Sequence, residues 1–323
     1  MKNFWDEEEA TACGDDPLAL RVYSSRLIGR ASDLVLHGGG NTSVKAEFTD
    51  IFGVRHEVLY VKGSGWDLAT IEAAGFSPVV LDALMQLSRF DVLSDADMVR
   101  AQRAAMLDPG APNPSVEAIL HALIPFRFVD HTHADAVVTL TNTPGGEARI
   151  RELYGDRLLV VPYVMPGFVL AKKVAQMTEG IDWTTLQGMV LMNHGIFSFA
   201  DDARESYTRM IDLVTEAEQA LGVVPSPTTG QSGASALELA TIRYEVSRAA
   251  NRPMLAAFSG SSQSHCFSKR DDVVSIATRG PLTPDHVIRT KRVPLMVNDD
   301  PAVAVAKFVS DYKDYFDRHT DGK

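Results

Sequence analysis

The stretch Asn113-Pro-Ser-Val-Glu-Ala-Ile-Leu-His-Ala-Leu-Ile-Pro-Phe-Arg-Phe-Val-Asp-His-Thr-His133 carries two periodicities. Val116, Ile119, Leu120, Leu123 and Ile124 recur at steps of three and four, which predicts a helix with one apolar face. Asn113 suits its N-cap, Pro114 its first position, and Pro125 stops it. Phe128 to His133 then reads as a strand. Side chains on a strand alternate, so His131 and His133 share a face and can reach one ion. Glu117 lies off the apolar stripe and can bring a carboxylate to the same space. A helix offering a carboxylate beside a strand offering two imidazoles resembles a metal site with its base.

Composition narrows the classes. The chain has 323 residues and a formal charge of -11, with no Lys/Arg run, which argues against a nucleic-acid partner. Cys13 and Cys266 stand alone, which excludes a disulfide framework or a thiolate zinc site and suits a reducing cytoplasm. The first residues are acidic, unlike a secretion signal, and no apolar run is long enough to span a bilayer. A cytoplasmic protein without a membrane partner is therefore expected.

Outward from the centre, Pro17 to Ser32 has helical spacing. Gly38-Gly39-Gly40 precedes the short polar residues Asn41, Thr42 and Ser43. Such a loop can wrap an anion with backbone N–H groups or make a plain hairpin turn. Val58 to Lys62 is a strand candidate, followed by Gly63-Ser64-Gly65. Neither loop fits a Walker A or a GxGxxG fingerprint. Asp82 to Phe90 and Asp95 to Leu107 read as helices, the second capped by Ser94. Ala134 to Leu140 reads equally as helix or buried strand. Leu158 to Val161 is a strand leading to Tyr163 between Pro162 and Pro166, in a setting where a tyrosine is more often packed at an interface than catalytic. Met189 to Met192 is a buried strand ending at Asn193-His194-Gly195, so His194 is a candidate third ligand. Ile196 to Phe199 continues as strand, and Ala203 to Leu221 is a strong helix. Residues 1–222 form the expected metal-binding domain, 223–236 a Pro/Gly/Ser/Thr-rich linker, and 237–323 a C-terminal extension. In that extension Leu237 to Ala250 and Val303 to Phe316 read as helices. The aromatic stripe of the latter reads as packing.

Gly-Gly-Gly-Asn-Thr-Ser at 38–43, Lys-Gly-Ser-Gly at 62–65, Pro-Ser-Val-Glu with His-Thr-His at 114–133, and Asn-His-Gly at 193–195 resemble, in that order, the class II aldolase/adducin family. The resemblance covers roughly residues 15 to 222. It implies an α/β fold: three α/β/α layers around a central, largely antiparallel sheet. It implies a divalent metal, usually Zn²⁺ (with Mn²⁺ or Co²⁺ as substitutes), on His131, His133 and His194. Glu117 maps to the catalytic carboxylate. Gly40, Asn41, Thr42, Ser64, Gly65 and Ser115 map to the substrate-phosphate loops. Lys62 stands where the family more often has threonine, and either meets an anionic substrate group or is merely a surface charge. Val116 replaces a second hydroxyl common beside Ser115, which puts a phosphorylated substrate in question. Tyr163 looks like a tyrosine donated across a subunit interface, so a homo-oligomer, by resemblance a tetramer, is expected. The segment after 235 looks like the connecting region of longer aldolase–dehydrogenase fusions, so the chain is either a stand-alone relative or the front part of a fusion.

The implied function is a lyase acting on a small sugar or sugar phosphate: reversible aldol cleavage through a metal-stabilised enediolate, with Glu117 moving the proton and Tyr163 serving the oxygen at the broken bond. Epimerases, decarboxylases and dehydratases of related sugars share such a site. An adducin-like binding module would lack the histidines that this chain keeps.

Overall fold

The structure is a computed structural model and describes residues 1–222, 235–298 and 300–320. The linker expected at 223–236 lies, over 223–234, outside the described residues. Two compact units divide the chain: Met1–Gly222 with Leu282–Arg289, and Val223–Pro281 with Thr290–Lys323.

The first unit is built on seven strands: β1 (Asn41–Thr49), β2 (Arg55–Lys62), β3 (Phe76–Val80), β4 (Phe128–Thr132), β5 (Leu158–Val161), β6 (Gly188–Leu191) and β7 (Gly195–Ala200). They pair in the order β3-β2-β1-β4-β7-β6-β5. Every neighbouring pair is antiparallel except β5 with β6. The largely antiparallel α/β sheet is as the family resemblance implies. Alternation along β6 and β7 sorts the core: Val190 and Ile196 join one apolar cluster, while Met189, Leu191, Phe197 and Phe199 join the other. Helices Pro17–Gly29, Asp135–Thr141, Gly146–Tyr154 and Ala203–Leu221 supply the first cluster. Helices Leu81–Leu87, Ala118–Leu123 and Phe168–Met177 supply the second. Residues 135–141 therefore resolve as helix.

Some expected elements differ. The helix expected from Pro114 begins only at Ala118, with Glu117 at its N-cap. Residues 113–115 instead pair with the end of β2: Ser64 N donates to Asn113 O and Ser115 N to Lys62 O. These long-range backbone bonds outweigh the local capping signal. Val116, expected on the apolar face, is exposed. The polar residues after the triple glycine are not loop but the start of β1, paired with β4 at Asn41 opposite His131. β3 has no counterpart in the sequence reading. It carries Pro78 on the edge of the sheet, where a missing N–H costs no ladder bond.

In the second unit, helix Ala236–Ala249 starts at a capping box between Ser235 and Glu238 and contacts helix Pro301–His319. Lys291 lies 4.0 Å from the Tyr312 ring centre, and the Arg292 guanidinium 5.6 Å from that of Tyr315. The aromatic stripe thus receives the basic cluster that precedes it. No described helix is long and apolar enough to cross a membrane.

Candidate metal centre

His131 is on β4 with its ring against Phe197 of β7, the ring centres 4.1 Å apart. Its Nδ1 lies 3.1 Å from Ile196 O. A carbonyl only accepts, so Nδ1 carries the proton and Nε2 presents a lone pair. His133 follows one residue beyond β4. The two Nε2 atoms are 3.2 Å apart. His194 comes from the tight connection between β6 and β7. Asn193 enables that connection by adopting φ 58°, a left-handed conformation that asparagine tolerates better than most residues. Its amide donates to Asn142 Oδ1 at 2.8 Å, which anchors the turn to the helix beneath. The donor atoms of His131, His133 and His194 all lie within 4.8 Å of one another.

Glu117 closes the cluster. Its Oε2 is 3.5 Å from His131 Nε2 and its Oε1 3.5 Å from His194 Nε2. Oε1 and His194 Nδ1 are buried without a hydrogen-bond partner among the described residues. Two imidazole nitrogens on one tetrahedral zinc, each bonded at roughly 2.0–2.1 Å, stand roughly 3.3 Å apart. The observed 3.2 Å matches that spacing, and the orphaned carboxylate oxygen lies where positive charge is wanted. The donor set therefore fits a divalent ion. Burial pushes the pKa of His131 well below the ordinary imidazole value, and burial, against the opposing pull of Glu117, lowers that of His194. Both are held neutral, as ligands must be.

A relay that the sequence does not disclose orients Glu117. Asn41 Nδ2 donates to Glu117 Oε2 at 2.6 Å. His121 Nε2 bonds Asn41 Oδ1, and Ser43 Oγ meets His121 Nδ1 at 2.8 Å. His121 is fully buried and its pKa is pushed down to about 3, chiefly by burial, so the ring is neutral. It donates to the Asn41 carbonyl and so turns the Asn41 amide N–H towards Glu117. The only sequence signal is a histidine on the apolar side of a short helix.

The site opens into a cavity of about 380 Å³, whose lining includes Gly40, Asn41, Lys62, Ser64, Gly65 and Ser115 as well as Glu117, His133 and His194. Six of the seven loop residues singled out are therefore brought together. Thr42 is not: its side chain is buried on the opposite side of β1, with Oγ1 2.8 Å from Ser25 Oγ. Alternation along a strand sends Thr42 away from the cavity that Asn41 faces. Lys62 is no surface charge. It is almost wholly buried, donates to Gly38 O at 2.8 Å, and has its pKa lowered to about 8, first by burial. Tyr163 is exposed and does not line this cavity. A larger cleft of about 760 Å³, lined by Lys45, Glu47, Glu57, Tyr60 and Arg127 among others, gathers none of the three histidines.

Residues 21–221 match the family model described as Class II Aldolase and Adducin N-terminal domain. The chain belongs to the class II aldolase and adducin family. A second model, Aldolase class II, second domain, matches residues 233–323. A class II aldolase domain of known structure, the N-terminal domain of a conserved protein from Thermoplasma acidophilum, is 41% identical with a TM-score of 0.61; the match covers 68% of this chain and 99% of that one. Among curated proteins, the chain is 33% identical to the uncharacterized oxidoreductase YuxG of Bacillus subtilis (strain 168), over 99% of this chain and 49% of that protein. The chain thus spans about half the length of this curated relative. The family uses divalent metals, and His131, His133 and His194 form a triad that could hold one.

Proposed function

We propose that this protein is a metal-dependent carbon–carbon lyase that reversibly cleaves a ketose or ketose phosphate into a three-carbon ketone and an aldehyde. The observation that carries the reading is the Glu117 carboxylate set 3.5 Å from both His131 Nε2 and His194 Nε2, at the floor of the cavity. Residues 1–222 are the catalytic domain in this reading and 237–323 an extension, of which Leu282–Arg289 belongs to the first compact unit.

His131, His133 and His194 would hold Zn²⁺ (or Mn²⁺ or Co²⁺), which would supply Lewis acidity towards a substrate carbonyl. Glu117 gives and takes the proton at the carbon beside that carbonyl, within a hydrogen bond of the Asn41 amide that fixes its orientation. Lys62, Ser64, Ser115 and the backbone around Gly40 and Gly65 hold the far end of the substrate, where a phosphate or hydroxyls fit a cation and short donors. Tyr163, from a neighbouring subunit of a homotetramer, takes the proton of the hydroxyl that becomes the aldehyde and returns it in condensation.

Metal-loaded protein should release an aldehyde from one or more ketoses or ketose phosphates, followed by NMR. Carbon dioxide or an epimer instead would transfer the same residues to decarboxylase or epimerase chemistry. A protein that takes up no divalent ion would leave a binding module. Glu117→Gln keeps size and helix but removes the ionisable group. Turnover should then fall by about 10²–10⁴-fold, the usual worth of a positioned acid/base, with metal content unchanged. Wild-type turnover in that variant would remove Glu117 from the mechanism.

A further inference from the structure

Leu282–Arg289 is distant in sequence from the histidines yet belongs to the first compact unit. It falls within the region that matches the second family domain. Its helix Pro284–Arg289 brings one buried carboxylate to the triad: Asp285 Oδ1 lies 2.5 Å from His133 Nδ1. The other oxygen accepts the backbone N–H of Leu36 at 2.7 Å. Asp285 is 2% exposed, so this pair sits out of water.

The facing loop has room for nothing larger. A Cβ on Gly39 would lie 1.7 Å from Asp285 Oδ1, well inside contact distance. Arg289, one turn further, donates from Nε to His37 O at 2.9 Å and lines the same cavity. Two residues of the triple glycine, Gly38 and Gly39, therefore face the segment 285–289 rather than open space.

We infer that Asp285 is a positioning residue of the metal centre: it fixes the His133 tautomer with the proton on Nδ1, so that the Nε2 lone pair faces the ion. The inference rests on the reading that the triad binds a metal. Its chemistry is simple. An ionised carboxylate only accepts, so a close contact with Nδ1 places the ring proton there. His131 already presents a lone pair at Nε2 because Ile196 O holds its other nitrogen. With both Nδ1 atoms engaged, two lone pairs face each other across 3.2 Å. That arrangement is repulsive unless a cation lies between. Without Asp285, His133 is free to carry its proton on Nε2 and satisfy His131 by an ordinary hydrogen bond, which closes the site. Carboxylates that hold a ligating histidine in this way commonly change metal affinity by about 10–100-fold.

The test compares wild type, Asp285→Asn, Asp285→Ala and Gly39→Ala. Zn²⁺ affinity is measured by competition with a chromophoric chelator, and the histidine tautomers by ¹⁵N NMR of the metal-free protein. Wild type should show His133 with its proton on Nδ1. Asp285→Ala and Gly39→Ala should shift that population towards Nε2–H and weaken Zn²⁺ binding by about 10–100-fold. Asp285→Asn, which keeps an acceptor oxygen but no charge, should fall between. Equal affinity in wild type and a folded Asp285→Ala protein would overturn the inference while leaving the metal site standing. Should Asp285→Ala fail to fold, Gly39→Ala decides, since its Cβ occupies the place of the carboxylate oxygen: wild-type affinity and an unchanged His133 tautomer in that variant would overturn the inference. A wild-type protein that binds no Zn²⁺ would instead sink the functional reading, and the tautomer measurement would still decide what Asp285 does to His133.

Discussion

Lys62 is almost wholly buried in the lining of the cavity. Burial lowers its pKa to about 8, yet the ammonium remains the major form at neutral pH. Anion binding in the cavity should therefore hold up to about pH 8 and weaken above it, as the charge is lost. Inorganic phosphate, titrated by calorimetry from pH 6 to 10, reads this directly. The linkage sign runs the other way for folding. Between the folded and the ordinary lysine pKa the unfolded chain binds more protons, so Lys62 contributes stability that grows as pH rises through that window. Lys62→Met should lose the pH-dependent anion binding and melt at higher temperature near pH 7. Unchanged phosphate affinity in Lys62→Met would remove Lys62 from the binding site. His121 works with the opposite emphasis. It stays neutral down to about pH 3, whereas an unfolded histidine protonates near 6.5. Stability is thus fully present above pH 6.5 and is lost as pH falls from there towards 3. His121→Ala should flatten that acid slope. It should also free the Asn41 amide to flip, with a fall in turnover of about tenfold, the low end of the range for partners that orient an active group. A turnover equal to wild type would mean that Asn41 holds its orientation unaided.

At the scale of elements, legibility follows from how local each signal is. His131 and His133 are readable because a strand repeats every two residues, and both nitrogens do meet. His194 is readable because a continuous apolar run has to end somewhere polar, and its end is the β6–β7 turn. The helix before them reads too long in the sequence, since nothing near Pro114 announces that Asn113 and Ser115 bond the backbone of Ser64 and Lys62. The strand that carries Asn41 looks like loop because three glycines precede it, and with it Thr42 falls on the wrong side. Asp285 carries no local signal at all, because its partner lies 152 residues away. The triple glycine is the one trace of it. Gly40 has a separate reason to be glycine: it adopts φ 56°, and a Cβ there would sit 2.7 Å from His131 O. Gly40→Ala should therefore disturb β4 itself, lowering the melting temperature of the metal-free protein. A melting temperature unchanged by Gly40→Ala would show that β1 and β4 tolerate the added methyl.

For the whole molecule, the proposed cleavage turns on where its second proton-transfer group comes from. Within one chain Glu117 is the only carboxylate among the described residues that line the cavity, and Tyr163 stands outside it, 55% exposed. Around Tyr163 the surface is unusually apolar: Met165 is 67% and Val169 64% exposed. Pro162 and Pro166 stiffen this segment, in which Pro166 lines the cavity of its own chain and Tyr163 does not. A stiff, apolar, exposed segment marks an interface, and closed symmetry would repeat it at every subunit contact. The protein should therefore sediment as a homo-oligomer at micromolar concentration, a homotetramer if the family resemblance extends to assembly. Tyr163→Phe should slow cleavage while leaving Glu117-dependent exchange of the proton beside the carbonyl near its wild-type rate. Co-expression of Tyr163→Phe and Glu117→Gln subunits separates the two geometries. If each site takes Glu117 from one subunit and Tyr163 from a neighbour, random assembly leaves about a quarter of the sites with both groups intact. About a quarter of wild-type activity should then return from two nearly inactive parents. If Tyr163 served its own subunit, every site in the mixture would lack one group and no activity would return. A monomer that cleaves substrate at the full rate would remove the shared site altogether.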